Sequence, residues 1–173
     1  MNEIIKKVYG FDSLDKLKQL QDIKIQEKTI EFQKNIFEKN NIGVGDEVFL
    51  MKGTAWSDAK KLMDYPLTVR KIKLESENRN SGNLSFGYSI KGNMVEMGYP
   101  NWYAYNNIIF DTKENAKIWK IGRILSNVVY LAHNYNPKVK KEKIGFEEKT
   151  MKILNDLYDK NTKLFGKAIE LFV

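Results

Sequence analysis

Asp111 and Lys113 stand two apart where an apolar run ends, in "IIFDTK". Nucleases can use an Asp-x-Lys spacing, the carboxylate holding magnesium while the ammonium polarises an attacking water. A further carboxylate, Asp46 or Glu75, would have to converge on the same ion. The competing use of Asp111 is to cap the helix that follows it. Few other catalytic groups are on hand. The chain has no cysteine, so disulfides, thiol catalysis and cysteine-ligated metal sites are excluded. Its single histidine, His133, leaves no two- or three-histidine site and has no triad to join. No phosphate-cradling glycine loop and no Gly-x-Ser-x-Gly occurs.

Binding chemistry is better represented. Lysine and arginine total 29 against 22 acids in 173 residues, a net charge of +7 that favours anionic partners. Only three of those cations are arginine, the residue suited to bidentate recognition, so neutralising charge outweighs reading of bases. The densest cluster is "PKVKKEKIG", with Lys138, Lys140, Lys141 and Lys143. As a patch it would contact phosphates without reading sequence; as a loop it would simply be solvated. Arg70, Lys71 and Lys73 could extend it, as could Lys60 and Lys61. "GYPNWYAYNN" adds Trp102, Tyr103 and Tyr105 in an uncharged run. These either stack on bases or form two faces of a core strand. Trp56 lies in "KGTAWSDAKKLMDYP", longer than a hairpin loop needs, and is a candidate anchor for a protein partner.

The elements that must position these groups divide into three stretches. Residues 1–42 read as an N-terminal helical segment, 43–111 as an antiparallel β core and 112–173 as a C-terminal helical segment, together one compact domain. A first helix is expected from "FDSLDKL" to Asn40, opened by Asp12 or Ser13, with Ile23, Ile30 and Phe37 recurring at seven. "DEVFLM", "LTVRKIKLES", "LSFGYSIKG", "MVEMGY" and "WYAYNNIIF" read as strands, "NRNSGN" and "KGN" as turns. Leu84, Phe86, Tyr88 and Ile90 share one face at a period of two. Asp111 or Thr112 opens a helix running to His133, and a last helix starts at Phe146. No stretch is apolar enough to span a bilayer and "MNEIIKKVYGF" lacks a signal core, so cytoplasmic residence without membrane contact is expected.

The order "GVGDEVFLM … LTVRKIKL … FGYSIK … NNIIFDTKENAKIW" resembles small SH3-like β-barrels of phage and mobile-element proteins. In these a Gly-Asp turn opens the first strand and the last strand leads into a helix beginning Asp/Thr-Lys-Glu-x-Ala. The resemblance implies an α+β fold: a small, strongly bent antiparallel sheet, the SH3-like barrel, with flanking N- and C-terminal helices. It implies no catalytic residues. The expected function is non-enzymatic binding of nucleic acid, RNA or DNA, or of a host nucleoprotein, with no cofactor. A specialised form would be an anti-defence inhibitor of the anti-CRISPR kind; the alternative is the Asp111/Lys113 nuclease. The apolar faces of the first and last helices are wide enough to build a homodimer as well.

Overall fold

The computed structural model describes the backbone of residues 2–52, 67–80, 83–99, 107–134 and 141–173. Its elements are α1 (Asn2–Tyr9), α2 (Leu14–Leu17), α3 (Asp22–Lys39), β1 (Glu47–Lys52), β2 (Val69–Lys73), β3 (Ser76–Asn80), β4 (Asn83–Ile90), β5 (Asn93–Tyr99), β6 (Asn107–Phe110), α4 (Lys113–His133) and α5 (Lys141–Phe172). The fold is mixed α+β.

The N-terminal helices differ from the sequence pattern in an instructive way. Helix α1 was not expected, because eight residues are too few for a periodic stripe to stand out. It forms by burying Ile4, Ile5, Val8 and Tyr9 against the helical core. Ser13 caps α2 by accepting from the Lys16 N–H, and Leu17 is driven fully into the core. The chain then breaks: Gln21 is extended and α3 starts afresh at Asp22, so one expected helix is two. "IKIQ" belongs to α3 and is helical. Ile23 is 58% exposed, because the buried stripe of α3 is Ile25, Gln26, Thr29, Gln33 and Phe37. More than half of that stripe is polar, which hid it from a count of apolar residues.

Helix α4 follows the expectation closely. Thr112 is its N-cap, accepting from the Asn115 N–H at 3.1 Å, and it ends at His133. It is the central helix: thirteen of its residues are buried, against α1, α3 and α5 on one side and the β region on the other. Gly122 marks its tightest contact. A Cβ there would lie 2.4 Å from the Phe172 ring and 2.6 Å from the Thr29 methyl. Helix α5 opens at Lys141, five residues before the expected start, and is broken at Asn161, whose backbone is not helical. At the break the Asn161 amide donates to the Leu157 carbonyl and the Thr162 hydroxyl to that of Tyr158.

The strands form two antiparallel three-stranded sheets, ordered β2-β1-β6 and β3-β4-β5. The chain steps from one to the other at Leu74–Glu75. Leu74 N–H donates to Asp46 O at 3.0 Å, and Glu75 N–H donates to Gly87 O at 2.8 Å. The apolar residues of "LTVRKIKLES" alternate imperfectly because both faces of β2 meet a core cluster, Ile72 and Leu74 one and Val69 the other. Strand β3 runs through Asn80, so the first residues of "NRNSGN" are strand rather than turn. The tight Lys91–Gly92 turn is present, both residues with positive φ, 50° and 82°, as a two-residue hairpin requires. Phe86 and Tyr88 point together into the cluster between the sheets, with Ile90 partly buried beside them. Among the described residues the two sheets are not closed into one barrel.

Two outcomes follow from the packing. Gly122→Ala should lower stability in urea unfolding by about 1–3 kcal/mol, although alanine is the better helix former, because a ring and a neighbouring helix must give way. Burial holds the Tyr9 phenol well above its ordinary pKa, and its hydroxyl donates to Leu125 O at 2.8 Å. The folded state therefore keeps that proton when the unfolded state, titrating near pH ~10, has lost it. The stability of the wild type relative to Tyr9→Phe should be fully present below pH ~10 and shrink as pH rises beyond it. Unfolding midpoints of both proteins across pH 8 to 11 measure that difference, in which other titrating groups cancel.

Candidate nucleic-acid interface

Of the residues singled out from the sequence, Trp56, Lys60, Lys61, Trp102, Tyr103, Tyr105, Lys138 and Lys140 lie outside the described residues. Lys141 and Lys143 fall in the first turn of α5. The third tryptophan, Trp119, is buried in the core against Phe110.

Arg70, Lys71 and Lys73 do not form a single patch, because neighbours on a strand face opposite ways. Arg70 pairs with Leu50 in the β1–β2 register and lies toward the cluster between the sheets. There its charge partly offsets the burial that raises the Tyr88 pKa. Lys71 and Lys73 face the other way, with Glu47 between them. Glu47 is the cross-strand partner of Lys73 and takes an ion pair from Lys71 at 2.7 Å. Both ends of that pair are about half exposed, so it adds little stability, yet it cancels one of the charges.

Asp111 is committed to structure. One carboxylate oxygen accepts from the Asn115 amide at 2.8 Å and the other from the Asn40 amide at 3.2 Å. It thereby ties the end of α3 to the start of α4, while Thr112 does the capping expected of either residue. Among the described residues no three histidines, cysteines or carboxylates come together as a metal site. His133 Nε2 lies 2.7 Å from the Leu20 carbonyl, a link between α4 and the turn before α3.

The face of α4 that carries Lys120, Arg123 and Asn127 is itself buried and polar. Lys120 is wholly enclosed, and each of the three is engaged. Burial pulls the Arg123 pKa down to about 10, so it remains charged at neutral pH, and its guanidinium lies 5.9 Å from the Trp119 ring centre. These cations are part of the interior and not of a docking surface.

The exposed cations that do converge come from α4 and α5. Lys167 forms an ion pair with Glu114 in the first turn of α4. The Glu114 carboxyl sits below the usual carboxylate range, chiefly through the hydrogen bond from Lys167, then its charge, with Lys163 adding to it. Lys117 lies one turn on from Glu114 and Lys113 immediately before it. Lys160 precedes the α5 break by one residue. Glu170, one turn beyond Lys167, is the second carboxylate here. Lys163 and Lys167 thus meet Glu114 where α5 packs on the start of α4. Lys160, Lys163 and Lys167 do not stand out in the sequence, because they are not dense along the chain. The available signal was the 163, 167 spacing of "KLFGK", which is one helical face.

Comparisons of the chain with protein-family models, with curated proteins and with solved structures found no match. Among the described residues no helix is long and apolar enough to cross a membrane.

If Asp111 is a structural tie, Asp111→Asn should be milder than Asp111→Ala. The alanine variant should lose about 1 kcal/mol in urea unfolding, the cost of stranding two amide donors at a partly exposed site.

Proposed function

We propose that this chain is a non-enzymatic binding protein that docks on the phosphate backbone of a nucleic acid, free or within a nucleoprotein. The observation that carries the reading is the meeting of Lys163 and Lys167 of α5 with Glu114 at the start of α4, a stretch that itself carries Lys113 and Lys117. An overall charge of +7 supports it. Ammonium groups on helices neutralise phosphates and release counterions without reading bases, which suits a chain with 26 lysines and three arginines. Lys141 and Lys143, at the start of α5, and the neighbouring Lys138 and Lys140 would supply a second contact point.

The finer fold reading, an SH3-like barrel of the phage and mobile-element type, is part of this proposal. The step of β2 into β3 across two sheets and the passage of β6 directly into α4 both support it. A protein of that type would act as an accessory or as an anti-defence inhibitor of a host nucleoprotein. Its positive surface suits competition for a guide RNA better than mimicry of DNA.

Affinity for a labelled 20-base-pair duplex should fall steeply between 50 and 200 mM salt. Changing Lys160, Lys163 and Lys167 together to Glu should weaken binding by more than about tenfold, and reduce the slope of log affinity against log salt by roughly 2–3. Changing Lys138, Lys140, Lys141 and Lys143 to Glu measures the second contact in the same assay. Association that ignores salt and survives both changes would overturn the reading.

A further inference from the structure

Among the described residues, the Gln26 amide nitrogen and the Tyr88 hydroxyl are buried without a hydrogen-bond partner. A stranded donor of this kind costs stability, and phenylalanine would fill the place of Tyr88 without that cost. Gln26 lies on the buried stripe of α3. Tyr88 differs, because an exposed cation is its neighbour. It is 1% exposed on β4 and points with Phe86 into the cluster between the sheets, while Arg70 lies toward the same cluster from β2. The Arg70 charge acts on the phenol, lowering a pKa that burial raises.

Arg70 is exposed, and no hydrogen bond or ion pair among the described residues occupies its guanidinium. The acids around it are engaged or turned away. Glu77, opposite Phe86 on the inner face of the second sheet, is paired with Arg79 at 2.6 Å. Glu47 pairs with Lys71 on the other face of β2. Glu75 accepts from Ser89, which adjoins Tyr88 on β4 and so faces the other way. Asp46 lies beyond the far end of the β1–β2 ladder. Lys71 and Lys167 each have an acid of their own; Arg70 has none.

The two groups together define what they can hold. A guanidinium presents a planar fork of donors, and the phenol adds one more from the facing sheet. The two oxygens of a carboxylate are satisfied by the fork alone. A tetrahedral oxyanion answers the fork and keeps an oxygen for a donor outside its plane. We infer that Arg70 and the Tyr88 hydroxyl bind a phosphate group between the two sheets, entering from the exposed Arg70 side. The site uses neither α4 nor α5, so the inference goes beyond the proposed function. A small phosphate ester and a nucleic-acid chain present the same oxygens to it.

Inorganic phosphate, added to protein isotope-labelled in its tyrosine rings, should move the Tyr88 resonance, identified by its loss in Tyr88→Phe. Chloride at equal ionic strength should not. Tyr88→Phe should keep or raise the melting temperature, since it removes a stranded donor, yet weaken phosphate binding in calorimetric titration about tenfold. Arg70→Lys keeps the charge, loses the fork and should weaken binding about as much. Arg79→Lys, at a guanidinium already engaged by Glu77, should leave it unchanged. The same variants titrated with adenosine monophosphate and with the 20-base-pair duplex identify the source. A loss with the mononucleotide alone assigns a small ester, and a loss with the duplex as well assigns a nucleic-acid chain. The site is wrong if phosphate leaves the Tyr88 resonance in place, or if either Tyr88→Phe or Arg70→Lys binds phosphate as the wild type does. An equal loss in Arg79→Lys, or a lower melting temperature in Tyr88→Phe, would overturn it as well.

Discussion

With thirteen residues buried, α4 has hardly any free surface along its middle, and the other elements are arranged around that fact. A helix enclosed on so many sides needs partners of unequal thickness. Gly122 lets α3 and the Phe172 end of α5 come close on one side. On another, Ala116 and Trp119 meet Met51 and Phe110 of the first sheet. The strand β6 feeds directly into this helix, so the sheet and the helical layer share one continuous stretch of chain. What remains of α4 for the outside is its two ends, Lys113, Glu114 and Lys117 at the start and Tyr130 and His133 at the finish, and the cations of the candidate interface are at the first of these.

The elements that were legible in the sequence are those whose local signals and tertiary role agree. Thr112 ahead of "KENAKIW" names the start of α4, and its nearly unbroken apolar residues name a central helix. Phe86, Tyr88 and Ile90 alternate as a half-buried strand should, and they are so placed. Where local and tertiary signals part, the reading slips. The heptad of Ile23, Ile30 and Phe37 looks like a core stripe, yet of the three only Phe37 is buried, and it shares the buried positions with Ile25, Gln26, Thr29 and Gln33. Thr29 manages this by donating its hydroxyl to the Gln26 carbonyl at 2.7 Å, so its polar atom is satisfied within the helix. No hydrophobicity count detects such a residue.

The site shows the same division more sharply. Arg70, Lys71 and Lys73 are dense along the chain but split between two faces, and Glu47 from the neighbouring strand intrudes on the pair. Lys163 and Lys167 are spread out along the chain but share one side of the helix after the Asn161 break and reach Glu114, 53 residues before Lys167. Linear density and surface density are different quantities, and pairing across the fold converts one to the other. Asp111 illustrates the reverse error. Its spacing to Lys113 suits metal chemistry, while its two oxygens are engaged by amides from different helices, which spacing alone does not reveal.

Helix α1 carries a consequence for how the molecule assembles. Its apolar side, Ile4, Ile5 and Val8, lies in a cluster with Leu154 and Phe165, and Lys7 pairs with Asp159 across 152 residues of chain. During synthesis the hairpins of β3, β4 and β5 can pair as soon as they emerge, because their partners are adjacent. Helix α1 gains part of its cover from α2 close by, but the rest comes from α5, so its greasy side stays partly unshielded until that distant helix has also been made.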